Sequence, residues 1–269
     1  MDAQQLAGRV AVVTGGGRGM GRAMALALAS AGASVIVTAA RQSEEIERVA
    51  FEARAASGEE RVLPMLADVG QPADCARVVA MALSRWGRLD ILINNAGRGM
   101  KYVSERFLAE PTRFWEVEPD IWRMIIEANV NGPFLMARAA VPHMLAGGWG
   151  RIVNMSMNHD TMRRRGFSPY GPSKAALESE TVIWAQDLEG SGVTVNALLP
   201  GGATNTGMIP PGLPQDLRAT LLPADIVVPP LLWLASPEAN GISGRRLVAN
   251  RWSPDDPVQA LEEAGWSRG

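Results

Sequence analysis

Across 269 residues, 47% hydrophobic and 20% charged, the chain has enough apolar surface for a sizeable core, which excludes a disordered or collagen-like polymer. That length suits one large α/β domain. Twenty-six Lys and Arg against 28 Asp and Glu leave a formal charge of −2, so no global electrostatic drive toward nucleic acid or a membrane surface is expected and the partners should be small molecules.

Short, mostly β-branched runs bounded by turn residues predict strands at Val10–Thr14, Ser34–Thr38, Arg61–Ala67, Leu89–Ile93, Arg151–Met155, Val193–Leu199 and Arg246–Ala249. Helical periodicity fills the intervals at Arg22–Ala31, Glu44–Ala56, Ala73–Trp86, Ile121–Leu145 and Lys174–Leu188. Such alternation predicts a doubly wound parallel sheet, a single-domain α/β Rossmann fold with helices on both faces. Pro64 cannot donate to a central ladder, so the third strand should lie at an edge, as it does in the order 3-2-1-4-5-6. Two long segments break the rhythm: Arg98–Pro119, aromatic and basic, and Gly201–Pro223, rich in Gly and Pro. The expected organisation is a dinucleotide-binding domain over residues 1–252 with substrate loops 98–119 and 201–223, followed by a tail, 253–269, with one short helix-compatible stretch.

The stretch Thr14-Gly-Gly-Gly-Arg-Gly-Met-Gly21 follows the first strand and opens the first helix. There a pyrophosphate would meet exposed backbone N–H groups and the positive helix end. The spacing from Gly15 to Gly19 to Gly21 is G-x-x-x-G-x-G. With Asn94-Asn-Ala-Gly97 after the fourth strand and Tyr170-Gly-Pro-Ser-Lys174 beyond the fifth, it resembles the short-chain dehydrogenase/reductase family over about residues 6–250.

The resemblance implies a nicotinamide cofactor contacted by Gly15, Gly17, Arg18, Gly19, Met20 and Gly21, by Asp68 and Val69 at the adenine, and by Asn95, Ala96 and Gly97 beside the sheet centre. It also implies contacts from Tyr170 and Lys174, and from Pro200, Gly201, Ala203 and Thr206 after the sixth strand. Asp68 could equally serve as a helix N-cap. Cofactor choice is read from charge at the end of the second strand, where an acid would accept from a ribose 2′-OH and repel a 2′-phosphate. Ala39 stands there, with Arg41 two residues on and Arg18 in the glycine loop, so NADP(H) is favoured, with NAD(H) as the alternative.

Tyr170 and Lys174 are one helical turn apart and share a face. A free phenol titrates near ~10, so it needs a neighbouring cation to exchange protons at neutral pH. Ser168 is a candidate N-cap for this helix, with Pro169 at its first position. By resemblance Tyr170 is the general acid/base in hydride transfer between the cofactor and a carbonyl or secondary alcohol, Lys174 assists and binds the ribose, and Asn129 orders a relay water, Asn131 being the competitor. A buried helical Asn can instead simply bond backbone.

Relatives carry a serine thirteen residues before the tyrosine; here that position is Met157, and Ser156 lies one residue earlier. Neighbouring strand residues face opposite ways. Three accounts stay open: a bulge turns the candidate catalytic Ser156 inward; Asn158 or Tyr102 replaces it; or catalysis is weak and the chain is a cofactor-binding regulatory or scaffold protein. An NAD-dependent alcohol dehydrogenase is the further alternative.

Tyr102, Phe107, Phe114 and Trp115, beside Arg98, Lys101, Arg106 and Arg113 in the long insert and Arg163-Arg-Arg165 before Tyr170, suggest a bulky, partly aromatic and anionic substrate; the same arginines could simply be solvated or face another subunit. Gly207–Leu222 should form a lid with Met208, Ile209 and Leu213 on its inner side. The helices Ile121–Leu145 and Lys174–Leu188 match those that pair subunits in family members, so a homodimer or homotetramer is expected. The lone Cys75 forms no intrachain disulfide, one cysteine with two histidines predicts no metal, and MDAQQLAGRV lacks a signal-peptide pattern. With no apolar run near 18 residues, the expectation is a cytoplasmic protein.

Overall fold

In the computed structural model, which describes residues 4–265, alternate strand residues feed two separate apolar layers. Val10 and Val12 of β1 (Val10–Val13) pack on one face of the sheet, whereas Ala11 and Val13 pack on the other. The same alternation sends Ile36 of β2 (Ser34–Ala39) and Leu92 of β4 (Ile91–Asn94) to the first face, and Val35, Val37, Ile91 and Ile93 to the second. On the first face lie α3 (Pro72–Trp86), α5 (Gly132–Ala146) and α7 (Tyr170–Asp187). On the second lie α1 (Gly19–Ser30), α2 (Ser43–Ser57) and α9 (Val228–Leu234). A sheet buried on both sides is what the near-continuous apolar strands require.

The remaining strands are β3 (Val62–Leu66), β5 (Gly150–Met155), β6 (Val193–Leu199), β7 (Arg245–Val248) and β8 (Leu261–Glu263). Their order is β3-β2-β1-β4-β5-β6-β7-β8. The doubly wound fold and the edge position of the Pro64 strand are as expected from sequence. All pairs are parallel except β7 with β8, where Leu247 faces Leu261. The tail carries one short 3-10 helix, Pro257–Ala260, in line with its helix-compatible stretch, and then β8, which was not expected: its three residues are too few to show a period, and only the exposed edge of β7 recruits them. Residues 1–3 and 266–269, the ends of the expected domain and tail, lie outside the described residues.

Two further differences bear on the site. The single helix expected over Ile121–Leu145 is α4 (Pro119–Ile126) and α5 joined by a π-helical turn, Glu127–Asn131. Pro133 lacks an N–H for the regular ladder, and the widened turn absorbs that break. Helix α7 begins at Tyr170 itself, after Pro169, with no side-chain cap, so Ser168 is not the N-cap expected. The short helices α6 (His159–Met162) and α8 (Gln215–Ala219) lie in the connections before α7 and after β6. Among the described residues no helix is long and apolar enough to cross a membrane, and no group of three His, Cys, Asp or Glu is placed to hold a metal.

Candidate active site

The glycine loop is drawn tightly onto β4. Thr14 Oγ1 accepts from the backbone N–H groups of Asn95 and Ala96, both at 3.0 Å, and the Asn95 amide donates to the Thr14 and Gly15 carbonyls at 2.9 Å. A Cβ on Gly21 would fall 2.2 Å from the Gly15 carbonyl oxygen, so only glycine lets the helix start so close to the strand. Helix α1 then begins with no side-chain cap and no acidic residue in its first turn, which leaves its N–H groups and positive end for an anion.

A cavity of about 300 Å³ opens over this helix end. Of the residues singled out for the cofactor, it brings together Gly15, Gly17, Arg18, Gly19, Met20, Gly21, Ala39, Arg41, Asp68, Val69, Asn95, Ala96, Gly97 and Thr206. Asp68 Oδ1 accepts from the Gly70 N–H at 3.0 Å, closing a local turn; the cap position of α3 is Gln71, so Asp68 is not its N-cap. Among the wall residues not singled out in the sequence is Glu45, in the first turn of α2, which lines the cavity and forms an ion pair with Arg18 at 3.1 Å. Its signal was an acid six residues beyond Ala39, at a helix start where acids are common for dipole reasons alone.

Pro200, Gly201, Ala203, Tyr170 and Lys174 do not line that cavity. The Pro200–Gly201 turn is held from below: Asn158 and Asn250 each donate to the Gly201 carbonyl, at 3.0 and 3.2 Å. Ala203 is exposed. On the opposite wall, Lys101 donates to the Gly207 carbonyl and Met208 lies over Gly97 and Gly99, so the insert and the segment after β6 touch across the cavity mouth.

Lys174 is 4% exposed, and its Nζ donates to the Met155 carbonyl at 2.7 Å, which fixes the start of α7 against the end of β5. Burial pulls its amine down to about 8, against an upward push from the Glu178 carboxylate one turn on. Nζ lies 5.9 Å from the Tyr170 ring centre. Burial pushes the Tyr170 phenol up to about 12, so in the protein by itself desolvation outweighs the acidifying neighbour expected from the spacing.

Asn129 is fully buried in the π turn. Its amide donates to the Ser173 hydroxyl at 2.9 Å and to the Arg98 carbonyl at 3.0 Å, while its oxygen accepts from the Arg98 N–H at 2.8 Å. Both amide hydrogens are thus engaged by protein, and the side chain clamps the segment after β4, including the Gly97 wall of the cavity, to α7 between Tyr170 and Lys174. Asn131 is exposed and donates to Glu127 at 2.6 Å.

Ser156 follows β5 without a bulge, since the register runs evenly to Met155 opposite Leu198. Its hydroxyl donates to buried Glu178 at 2.6 Å, which goes against the bulge, one of the three accounts left open for Ser156. Glu178 also receives Arg246 at 3.2 Å and meets His159 at 3.0 Å. Arg246 further donates to the Met157 carbonyl at 2.8 Å and to Glu262 of β8 at 2.7 Å. This network escaped the sequence reading, although Glu178, four residues beyond Lys174, carried the spacing that could have revealed it.

Comparison with known proteins agrees with this architecture. A family model described as short chain dehydrogenase matches residues 9–213. An uncharacterized oxidoreductase of Mycobacterium tuberculosis is 35% identical over 92% of each chain. Among solved structures, a 3-ketoacyl-(acyl-carrier-protein) reductase from Brucella melitensis complexed with NADH has a TM-score of 0.79 at 32% identity, over 90% of this chain and 97% of that one. A short chain dehydrogenase from Burkholderia cenocepacia in complex with NADP has a TM-score of 0.78 at 31% identity, over 91% and 99%. The chain therefore belongs to the short-chain dehydrogenase/reductase family and is an oxidoreductase of it.

Proposed function

We propose that this enzyme transfers a hydride between NADP(H) and a carbonyl or secondary-alcohol substrate, with Tyr170 as general acid/base and Lys174 as its cationic partner. The observation that carries this reading is the fixed start of α7: Lys174 is buried and tied to Met155, and Asn129 joins that helix to the Gly97 wall of the dinucleotide cavity.

The residues present fit the cofactor. The uncapped, acid-free N-terminus of α1 suits a pyrophosphate, and the Thr206 methyl beside Gly19 closes its edge. Asp68 would accept from the adenine, Lys174 would donate to the ribose, and Arg18 with Arg41 would face a 2′-phosphate. When bound, the nicotinamide supplies or receives the hydride. In reduction Tyr170, protonated throughout the neutral range, donates its proton to the carbonyl oxygen; in oxidation its phenolate removes the alcohol proton. Lys174 stabilises that phenolate. Asn129 holds the helix in register and so acts by positioning.

The engagement of Ser156 by Glu178 favours a second reading, a slow reductase, because loss of one donor to the developing oxyanion lowers rates by ~10²–10³. NAD(H) is the alternative cofactor: the two solved relatives named above were found one with NADH and one with NADP. Phe134 of α5 and Ile183 of α7, about half exposed, support pairing with a second copy as a homodimer or homotetramer. Following NADPH and NADH oxidation with a panel of ketones, for wild type and Tyr170→Phe, tests the proposal. Turnover that Tyr170→Phe abolishes is the expected result; wild-type turnover that survives the substitution overturns the role of Tyr170.

A further inference from the structure

A second cavity, of about 410 Å³, opens between Thr112–Trp115 of the long insert and Met162–Ser168 ahead of α7, and shares no residue with the dinucleotide cavity. Among the described residues its lining carries four arginines, Arg113, Arg163, Arg164 and Arg165, and no acidic side chain. The two walls are bound to each other. Thr112 Oγ1 donates to the Gly166 carbonyl at 2.9 Å, Phe107 meets Phe167 edge-on at 5.9 Å, and a Cβ on Gly166, whose φ is 84°, would sit 2.9 Å from Pro111 Cα. The cavity exists because the insert folds across the arginine run.

Phe114 and Trp115 are 69% and 64% exposed, pack edge to face at 5.1 Å, and carry the Arg113 guanidinium 5.5 Å from the Trp115 ring. Large aromatic faces left in water gain most from being covered by another flat apolar body. The Arg113, Arg164 and Arg165 guanidinium forks, gathered in one lining, are complemented by an oxyanion, which such forks bind bidentately. Two further lining residues, Ser168 and Pro172, bracket Tyr170 in the chain, and the Met162 carbonyl presses so close to Gly171 that a Cβ there would fall 2.1 Å from it.

We propose that this cavity binds a flat, apolar molecule bearing a carboxylate or phosphate, and that it receives the anionic end of the enzyme's own substrate; the second part rests on the hydride-transfer reading above. The test is calorimetric titration of the full chain with 2-naphthoate, 2-naphthyl phosphate and neutral 2-naphthalenemethanol. At least one anion should bind with an affinity that falls as salt rises, and should lose tenfold or more in Arg164→Ala/Arg165→Ala and in Trp115→Ala. These side chains are exposed, and an unchanged melting temperature checks that the variants fold. Failure of both anions to bind, equal binding of the neutral probe, or unchanged affinity in the variants overturns the site. The bound anion should also compete with a carbonyl substrate that the enzyme reduces; non-competitive behaviour overturns the assignment to the substrate. Because the titration needs no turnover, an enzyme inactive on every carbonyl sinks the hydride-transfer reading and leaves the site to be judged by probe binding.

Discussion

The Ser156 hydroxyl and the Glu178 carboxylate meet at 2.6 Å, both buried, two helical turns beyond Tyr170 along α7. Eight residues of helix span roughly 12 Å, so the serine belongs to the Arg246 network that ties β7 and β8 to the loop after β5. Ser156→Ala should therefore leave kcat within about threefold and lower stability by about 1.5–3 kcal/mol, the net worth of a hydrogen bond to a charged group. Glu178→Ala, which leaves Arg246 to Glu262 alone and takes the acceptor from Ser156, should cost about 1–3 kcal/mol in denaturant unfolding. A hundredfold fall in kcat for Ser156→Ala would return that hydroxyl to catalysis.

Met157→Ser restores a hydroxyl at the position where relatives carry one. If Tyr170 lacks a second donor to share the substrate oxygen, the substitution should raise the reductive kcat by about tenfold or more with little change in KM, read by steady-state kinetics. An unchanged kcat would show that another group already supplies that bond.

The direction of the Tyr170 shift sets the pH profile. Burial raises the phenol to about 12, and the acid form needed for reduction is the one present below that value. Reductive kcat/KM should thus be flat from pH 6 to 8. The oxidative direction needs the phenolate, so it should climb about tenfold per pH unit until the cofactor-bound phenol ionises. Tyr170→Phe should lower both by ~10²–10⁴. A reductive rate that falls steeply between pH 6 and 8 would assign the proton to another group.

The proposed preference for NADP(H) is tested at the pairing of Arg18 with Glu45. A 2′-phosphate would need Arg18 to leave that carboxylate and would itself be repelled by it. Arg18→Ala and Arg41→Ala should raise KM for NADPH by about tenfold and for NADH by less than threefold, whereas Glu45→Gln should lower KM for NADPH. Equal effects on both cofactors would remove these residues from the choice.

Glu180 supplies a stability test. Its Oε2 is buried on α7 with no hydrogen-bond partner among the described residues, and burial raises the carboxyl to about 7 from 4.5. Between those values the folded state binds the extra proton, so this group's stabilising share is complete below pH 4.5 and is lost as pH rises through 7. Glu180→Gln should raise the melting temperature at pH 8 and leave it nearly unchanged at pH 4.5. An equal gain at both values would point to packing in place of charge.

Much of the fold was legible because strand and helix announce themselves by period. The glycine loop was readable for a related reason: a Cβ at Gly21 collides with backbone, so the residue type is dictated locally. The tail strand β8 was not, since three residues carry no period and the edge of β7 is what makes them a strand. Asn129 was singled out as the residue ordering a relay water, whereas its bonds to Arg98 and Ser173 join positions 31 and 44 residues away, which spacing along one helix does not reveal.

By itself the sequence determined the order of elements, the glycine loop that opens the first helix, and the shared face of Tyr170 and Lys174, because each follows from contacts within a few residues. Tertiary structure alone decided that Ser156 turns to Glu178, that Glu45 guards Arg18, and that the insert folds over Arg163–Arg165. Those outcomes depend on which distant side chains compete for the same hydrogen bond or the same space.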